Sequence, residues 1–238
     1  PARRFMLGRA MAPLDAQRPL RIDTGGPVRR PLFSPDGRRL VAPVDVPLNT
    51  LAEAGDYVPQ VDRAGIWDVA SGERLAELQG LPKDPRLLRW LPDGRHLLVS
   101  GFDRGDSTYW TRADPNTGVW DSLTGQRLAR LAGHAGLIGT PLDPEGRRVV
   151  LADLPQRNGA EVRHWRDARL AFRIAPDTHI RAARCGPDGQ SIVTGDAQGR
   201  VRLWDGRDGR TLRALPGRLP KGVTAATFCP RGTRLIAI

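Results

Sequence analysis

Four histidines (His96, His134, His164 and His179) and two cysteines (Cys185 and Cys229) are the residues with most scope for chemistry. The histidines have no carboxylate or thiol at ligand spacing, so no metal site is legible. The cysteines match no C-x-x-C pattern and are too few for a disulfide framework. They are expected as buried free thiols of a reducing compartment. Asp103-Arg104-Gly105-Asp106 lacks the spacing of a calcium loop, and its Arg-Gly-Asp triplet is read as chance because no secretory feature accompanies it. Neither a Gly-x-Ser-x-Gly nucleophile elbow nor a phosphate-binding glycine loop is present. Those absences lead to an expectation of no catalytic residue, no cofactor and no metal. What remains suits contact: Tyr57, Tyr109 and Trp110 in turn-rich stretches, and arginines after glycine turns, among them Arg38, Arg95 and Arg147.

Composition narrows the classes further. The 238 residues carry a net charge of +11, with 39% hydrophobic and 26% charged positions, which is globular. Lys83 and Lys221 are the only lysines, so the other 35 basic residues are arginine. With few asparagines and much Ala, Gly, Pro and Leu, that bias reads as GC-rich codon usage. The arginines are scattered, with no basic tail or basic helix face, and a specific nucleic-acid role is disfavoured. No apolar run reaches 18 residues, so no membrane-spanning helix is expected, and no signal peptide is legible. The expected location is cytoplasmic. Starting at Pro1 and stopping on Leu235-Ile236-Ala237-Ile238, the chain reads as a segment of a longer protein.

Two markers recur in phase along the chain. A Pro-x-Gly turn stands at Pro35, Pro92, Pro144, Pro187 and Pro230, at intervals of 57, 52, 43 and 43 residues. Each precedes a short apolar run, such as Leu97-Leu98-Val99 or Val149-Val150-Leu151. The second marker is Trp67-Asp68, Trp120-Asp121 and Trp204-Asp205, with Trp165-Arg166 in the same place of the remaining unit. Gly72, Gly125 and Gly209 follow five residues after each Trp-Asp tryptophan, and leucines follow at eight and eleven. The apolar runs are too short for helices and are bounded by turn residues, as strands are. Four short strands per unit at about 43 residues is the pattern of a propeller blade.

In its Phe33-Ser34-Pro35-Asp36-Gly37 turn, its Val201-Arg202-Leu203-Trp204-Asp205 strand and its Leu131-Ala132-Gly133-His134 ending, the chain resembles bacterial-type WD-repeat (WD40) propellers with degenerate repeats. That resemblance implies an all-β chain of four-stranded antiparallel blades. The repeats predict blades at about 27–80, 84–132, 135–175 and 178–217, with partial blades at 1–26 and 218–238. Twenty strands amount to about five blade equivalents, five blades if the two halves complete each other. The abrupt ends favour an incomplete ring. Trp67, Trp120, Trp165 and Trp204 are expected to be structural. The family's Trp, Asp, Ser or Thr and His hydrogen-bonded set is implied only in pieces. Asp114 lies six before Trp120 with Ser100 nearby, His134 holds the Gly-His place, and Thr194 matches the hydroxyl. Gly159 and Gln198 stand where an Asp is expected.

Insertions at about 44–62 and 102–117 lengthen two blades and carry Tyr57, Tyr109 and Trp110. The resulting expectation is a non-catalytic interaction platform. Its partner is a protein of unknown identity, held by these aromatics with rim arginines Arg38, Arg95 and Arg147 as electrostatic support. The oligomeric state is not legible. Two alternatives stay open: a regulatory or substrate-docking propeller of a larger enzyme (a Ser/Thr kinase or a peptidase), and a nucleic-acid-associated propeller.

Overall fold

The computed structural model describes residues 22–25, 28, 30–45, 61–82, 84–103, 114–131, 143, 146–152, 159–175 and 177–238. Within them 17 strands form five antiparallel sheets, and there is no helix. The first sheet runs β1 (Leu32–Phe33), β2 (Arg39–Asp45), β3 (Val61–Asp68) and β4 (Arg74–Glu77). The second runs β5 (Asp84–Trp90), β6 (His96–Asp103), β7 (Asp114–Asp121) and β8 (Arg127–Leu131). The third contains β9 (Arg148–Ala152), β10 (Ala160–His164) and β11 (Leu170–Ile174). The fourth runs β12 (Ile180–Cys185), β13 (Ser191–Asp196), β14 (Val201–Asp205) and β15 (Thr211–Ala214), and the fifth pairs β16 (Ala226–Phe228) with β17 (Leu235–Ala237). Each sheet is a meander in which chain neighbours pair. The expected partial blade at 1–26 lies almost wholly outside the described residues.

Both recurrent motifs are turn formers. In every Pro-x-Gly turn the glycine N–H donates to the carbonyl of the residue before proline: Gly37 to Ser34 (2.8 Å), Gly94 to Leu91 (3.0 Å), Gly146 to Asp143 (2.8 Å), Gly189 to Gly186 (3.0 Å) and Gly232 to Cys229 (2.9 Å). Proline presets the first turn angle, and glycine takes the left-handed one, at φ 64–71° in all five. The Asp of Trp-Asp closes the other hairpin through its side chain. Asp68 Oδ1 accepts the N–H groups of Ala70 (2.9 Å) and Ser71 (2.8 Å), and Asp121 Oδ1 those of Leu123 (2.7 Å) and Thr124 (3.2 Å). In the third sheet, where Arg166 follows the tryptophan, Asp167 accepts from Arg169 N–H instead and Ala168 takes φ 55°.

The core lies between sheets. On β6, Leu97 and Val99 pack with Val41, Ala64 and Ile66 of the first sheet, while Leu98 packs with Val149 and Leu151 of the third. On β9 the intervening Val150 and Ala152 pack with Ile180, Ala183 and Ile192 of the fourth. A strand buried on both faces needs consecutive apolar residues, which is why these runs do not alternate with polar ones. Trp120, Trp165 and Trp204 each join the cluster shared with the preceding sheet.

Turns also meet across sheets. A Cβ on Gly94, Gly146 or Gly232 would touch the turn proline of the sheet before it: Pro35, Pro92 (2.7 Å to Cδ) and Pro187. Gln79 N–H donates to Gly125 O (2.8 Å), and the Trp120 indole N–H to Gln79 O (2.7 Å). The arginine two residues after the turn glycine completes the joint. Arg39 reaches Gly94 O (3.3 Å) and Ser122 Oγ (2.9 Å), and Arg148 reaches Gly206 O (2.6 Å). Ser122 and Gly206 both lie two residues after their tryptophan, so the two joints are equivalent.

Two sequence expectations change here. Strand pairing continues to Asp45↔Val61 and Asp103↔Asp114, so the insertions shrink to 46–60 and 104–113. Pro115 is tolerated in β7 because β8 pairs only as far as Thr117, leaving β7 an edge beyond it. Ser100 is no partner for Trp120: Trp120 pairs with Leu97, and Ser100, three residues on, faces the opposite side, where its hydroxyl meets Thr117 Oγ1 (2.8 Å). Thr194 does take that role in the fourth sheet, accepting the Trp204 indole N–H at 2.8 Å.

Gly125 and Gly217 separate backbone strain from inter-sheet contact. Both have positive φ (72° and 86°), but a Cβ on Gly125 would land on the Glu77 carbonyl, whereas Gly217 has open space around it. Gly217→Ala is expected to cost about 1 kcal/mol, and Gly125→Ala at least about 2–3 kcal/mol. Urea unfolding of the two variants checks this, and equal losses would show that the turn contact contributes nothing.

Candidate interaction face

The antiparallel meander sorts the connections between two ends of the sheets. The turns between first and second strands span five residues in the first, second and fourth sheets (34–38, 91–95, 186–190) and six in the fifth. Those between third and fourth strands span five in all four sheets that have them (69–73, 122–126, 165–169, 206–210). At the opposite end, the connections between second and third strands span 15, 10, 7 and 4 residues in the first to fourth sheets. Variable length is confined to one end.

Tyr57, Tyr109 and Trp110 belong to the two longest of these connections, 46–60 and 104–113, and lie outside the described residues, as does His134. The β2–β3 and β6–β7 ladders fix where those connections leave and re-enter. For Asp114 the backbone is described, paired with Asp103. Arg38, Arg95 and Arg147 sit in or beside the Pro-x-Gly turns, at the far end. Strands of eight residues put the two ends about 25 Å apart. Hairpin alternation sends first and second connections to opposite ends, so these arginines lie at the end opposite the feet of the two long connections.

Sequence reasoning also missed that arginines at this end are used in the fold. Arg95 Nε and Nη2 both reach Asp121 Oδ2 (3.0 and 2.8 Å), tying the two turns of the second sheet together. Arg148 is held by Asp143 and, across the joint, by Gly206. Arg38 and Arg147 are exposed. The signal lay in the paired arginines after Gly37 and Gly146, whose second member reaches the next sheet.

The titratable groups are structural in their surroundings. His96 Nδ1 lies 2.6 Å from Asp93 Oδ2, and its ring stands 4.8 Å from that of Trp165. Neither cysteine is in a disulfide, and both are half-buried rather than fully buried, because both lie where a strand enters a turn. Burial, with Asp143 adding to it, pushes the Cys185 thiol up to about 12. Cys229 holds the turn position of Ser34; the Thr233 hydroxyl and the Arg234 N–H draw its thiol down to about 7. A cleft between the third and fourth sheets, lined by Asp143, Arg148, Val162 and Cys185, has room for about one water molecule. Among the described residues no three His, Cys, Asp or Glu side chains converge, and no helix is long and apolar enough to cross a membrane.

Asp121 and Asp196 give the turns a pH dependence. Burial pushes both carboxyls up. The N–H groups of Leu123 and Thr124 with Arg95, and those of Arg200 and Gln198 with the Arg200 guanidinium, outweigh it and hold both below the usual range. A depressed native value contributes stability above the unfolded value of about 3.9, lost as pH falls through the lower native one. Asp121→Asn with Asp196→Asn is expected to be less stable at pH 7 and to close the gap to wild type below about pH 3.9. Urea unfolding at pH 7, 4 and 3 measures the gap; a constant gap excludes the carboxylates as its source.

With this geometry in place, the comparisons with known proteins fall into line. The family model described as WD domain, G-beta repeat matches residues 172–205, from β11 to the end of β14. WD repeat-containing protein 1 of Rattus norvegicus is 24% identical over 194 residues, and that of Gallus gallus 25%. Actin-interacting protein 1 of Drosophila melanogaster is 23% identical over 192 residues. These matches cover 77–78% of the chain but 30% of each relative, so the chain spans under a third of their length. The computationally designed Ika8 protein shares the fold, with a TM-score of 0.56 at 18% identity, over 85% of this chain and 52% of that one. Repeated Pro-x-Gly and Trp-Asp turns, meander sheets packed face to face and these likenesses agree: they support a WD40-repeat family, and the chain has a β-propeller architecture of antiparallel meander blades.

Proposed function

We propose that this chain is a non-catalytic platform that captures a protein partner on the end of its sheets carrying the 46–60 and 104–113 connections. The observation that carries the reading is the asymmetry between the ends. Turns of near-constant length are consumed in joints between sheets, while all the large length variation, and Tyr57, Tyr109 and Trp110 with it, falls at the other end. Loops held at both feet by long ladders present contact residues at low ordering cost. WD-repeat proteins generally bind protein partners, and the name of the Drosophila melanogaster relative supports a protein as the partner class here. The expected limits, blades at about 27–80, 84–132, 135–175 and 178–217 with partial blades at 1–26 and 218–238, are kept as part of the proposal. So is a cytoplasmic location, which two unbridged cysteines support. Arg38 and Arg147 are assigned to a separate basic edge at the opposite end.

Replacing Tyr57, Tyr109 and Trp110 together by Ala is expected to weaken capture of a purified partner at least about tenfold, since anchor aromatics cost about 2 kcal/mol or more on truncation. Circular dichroism should stay unchanged. Equal affinity of the triple variant and wild type, measured by calorimetric titration, would overturn the reading.

A further inference from the structure

Strands β5, β12 and β16 are each the first of their sheet, the position nearest the axis of a propeller. Arg89, Arg184 and Thr227 occupy one register on them, three residues before Pro92, Pro187 and Pro230. Arg184 Nη1 donates to Thr227 Oγ1 at 2.6 Å, across the joint between the fourth and fifth sheets. Its Nε is buried and has no acceptor. Burial, and then the charge of the Arg89 guanidinium, pull the Arg184 pKa down.

Among the described residues no ion pair takes in either guanidinium. The nearby Asp143 is taken by Arg148, whose N–H it accepts at 2.7 Å. Buried donors are ordinarily paired, and guanidinium groups do not shed their charge to escape repulsion. With Nη1 engaged on Thr227, the Nε–Nη2 edge of Arg184 is the one left over, and that edge is the fork that grips an oxyanion bidentately.

We propose that Arg89 and Arg184, with Thr227, form a binding site for a phosphate-type oxyanion at the first strands of the second, fourth and fifth sheets. Two guanidinium charges match a phosphate dianion better than a single carboxylate. Arg184 holds the anion through Nε and Nη2, Arg89 adds the second charge, and the Thr227 hydroxyl can turn from the Phe228 carbonyl (3.3 Å) to donate.

The test is thermal unfolding of the intact protein in phosphate, acetate or chloride at one ionic strength. Phosphate is expected to raise Tm by about 2–4 °C over chloride, and acetate by less. Arg89→Met should abolish the phosphate-specific rise while starting no lower in chloride, and Arg184→Met should abolish it from a lower start, because it also loses the bond to Thr227. Arg38→Met, at an exposed turn, should keep it. Because Arg89 is exposed, its variant decides the matter even where Arg184→Met fails to fold. A rise with inorganic phosphate alone assigns a free ion, and one with O-phosphoserine as well assigns a phosphate ester. No phosphate-specific rise in wild type, or the same rise in all variants as general salting-out gives, overturns the site.

Discussion

Everything in this molecule depends on packing each sheet face to face against its neighbour. A four-stranded meander with apolar residues on both sides has no core of its own. Leu97 and Leu98, adjacent on β6, serve two different clusters, as do Val149 and Val150 on β9. Stability therefore belongs to the joints, and those among the first four sheets have three layers. Aliphatic side chains fill the middle, a tryptophan wedges in from the later sheet, and turn backbones close the end through contacts such as Gln79 with Gly125. That arrangement couples neighbouring sheets directly and distant ones hardly at all, the behaviour of a one-dimensional stack.

The tryptophans show how one motif serves that constraint in different ways. Glycine precedes Trp67 and Trp120 by two residues, and a Cβ there would land on the indole, so the ring lies flat over its own strand. In the fourth sheet Arg202 stands at that position, and the Trp204 indole finds the Thr194 hydroxyl across β13 instead. In the third, Trp165 donates to Gly146 O at 2.7 Å. The indole N–H of Trp120, Trp165 and Trp204 is satisfied each time, but by a different acceptor, because burial demands a partner without dictating which one. Degenerate repeats persist on that tolerance.

The turns and runs that define the fold were legible because local chemistry fixes them. Proline and glycine angles, and an aspartate that caps its own hairpin, are properties of four or five consecutive residues. Which face Ser100 takes was not legible, since a one-residue slip in ladder register moves a side chain to the other side. The roles of Arg39 and Arg148 were hidden for a related reason. Their partners, Ser122 and Gly206, lie 83 and 58 residues away, and in the sequence they looked like any solvated turn arginine. For the candidate interaction face, which stretches are long was plain; which end of the sheets they share follows only from strand alternation.

That alternation divides the molecule's surfaces by how free they are to change. At the tight-turn end, Arg95, Asp121, Arg39 and Arg148 are committed to holding turns and sheets together, and a residue added there would displace a contact with the next sheet. At the opposite end the connection between second and third strands ranges from four residues, in the Asp196–Val201 hairpin, to fifteen in the first sheet. Loop closure costs little more for the longer connection, since that cost grows only with the logarithm of length. New contact surface can thus be added at one end while the packing that holds the sheets stays as it is. The first strands answer to a third condition. They lie nearest the axis, and there the buried Nε of Arg184 has no acceptor while the charge of Arg89 bears on the same guanidinium.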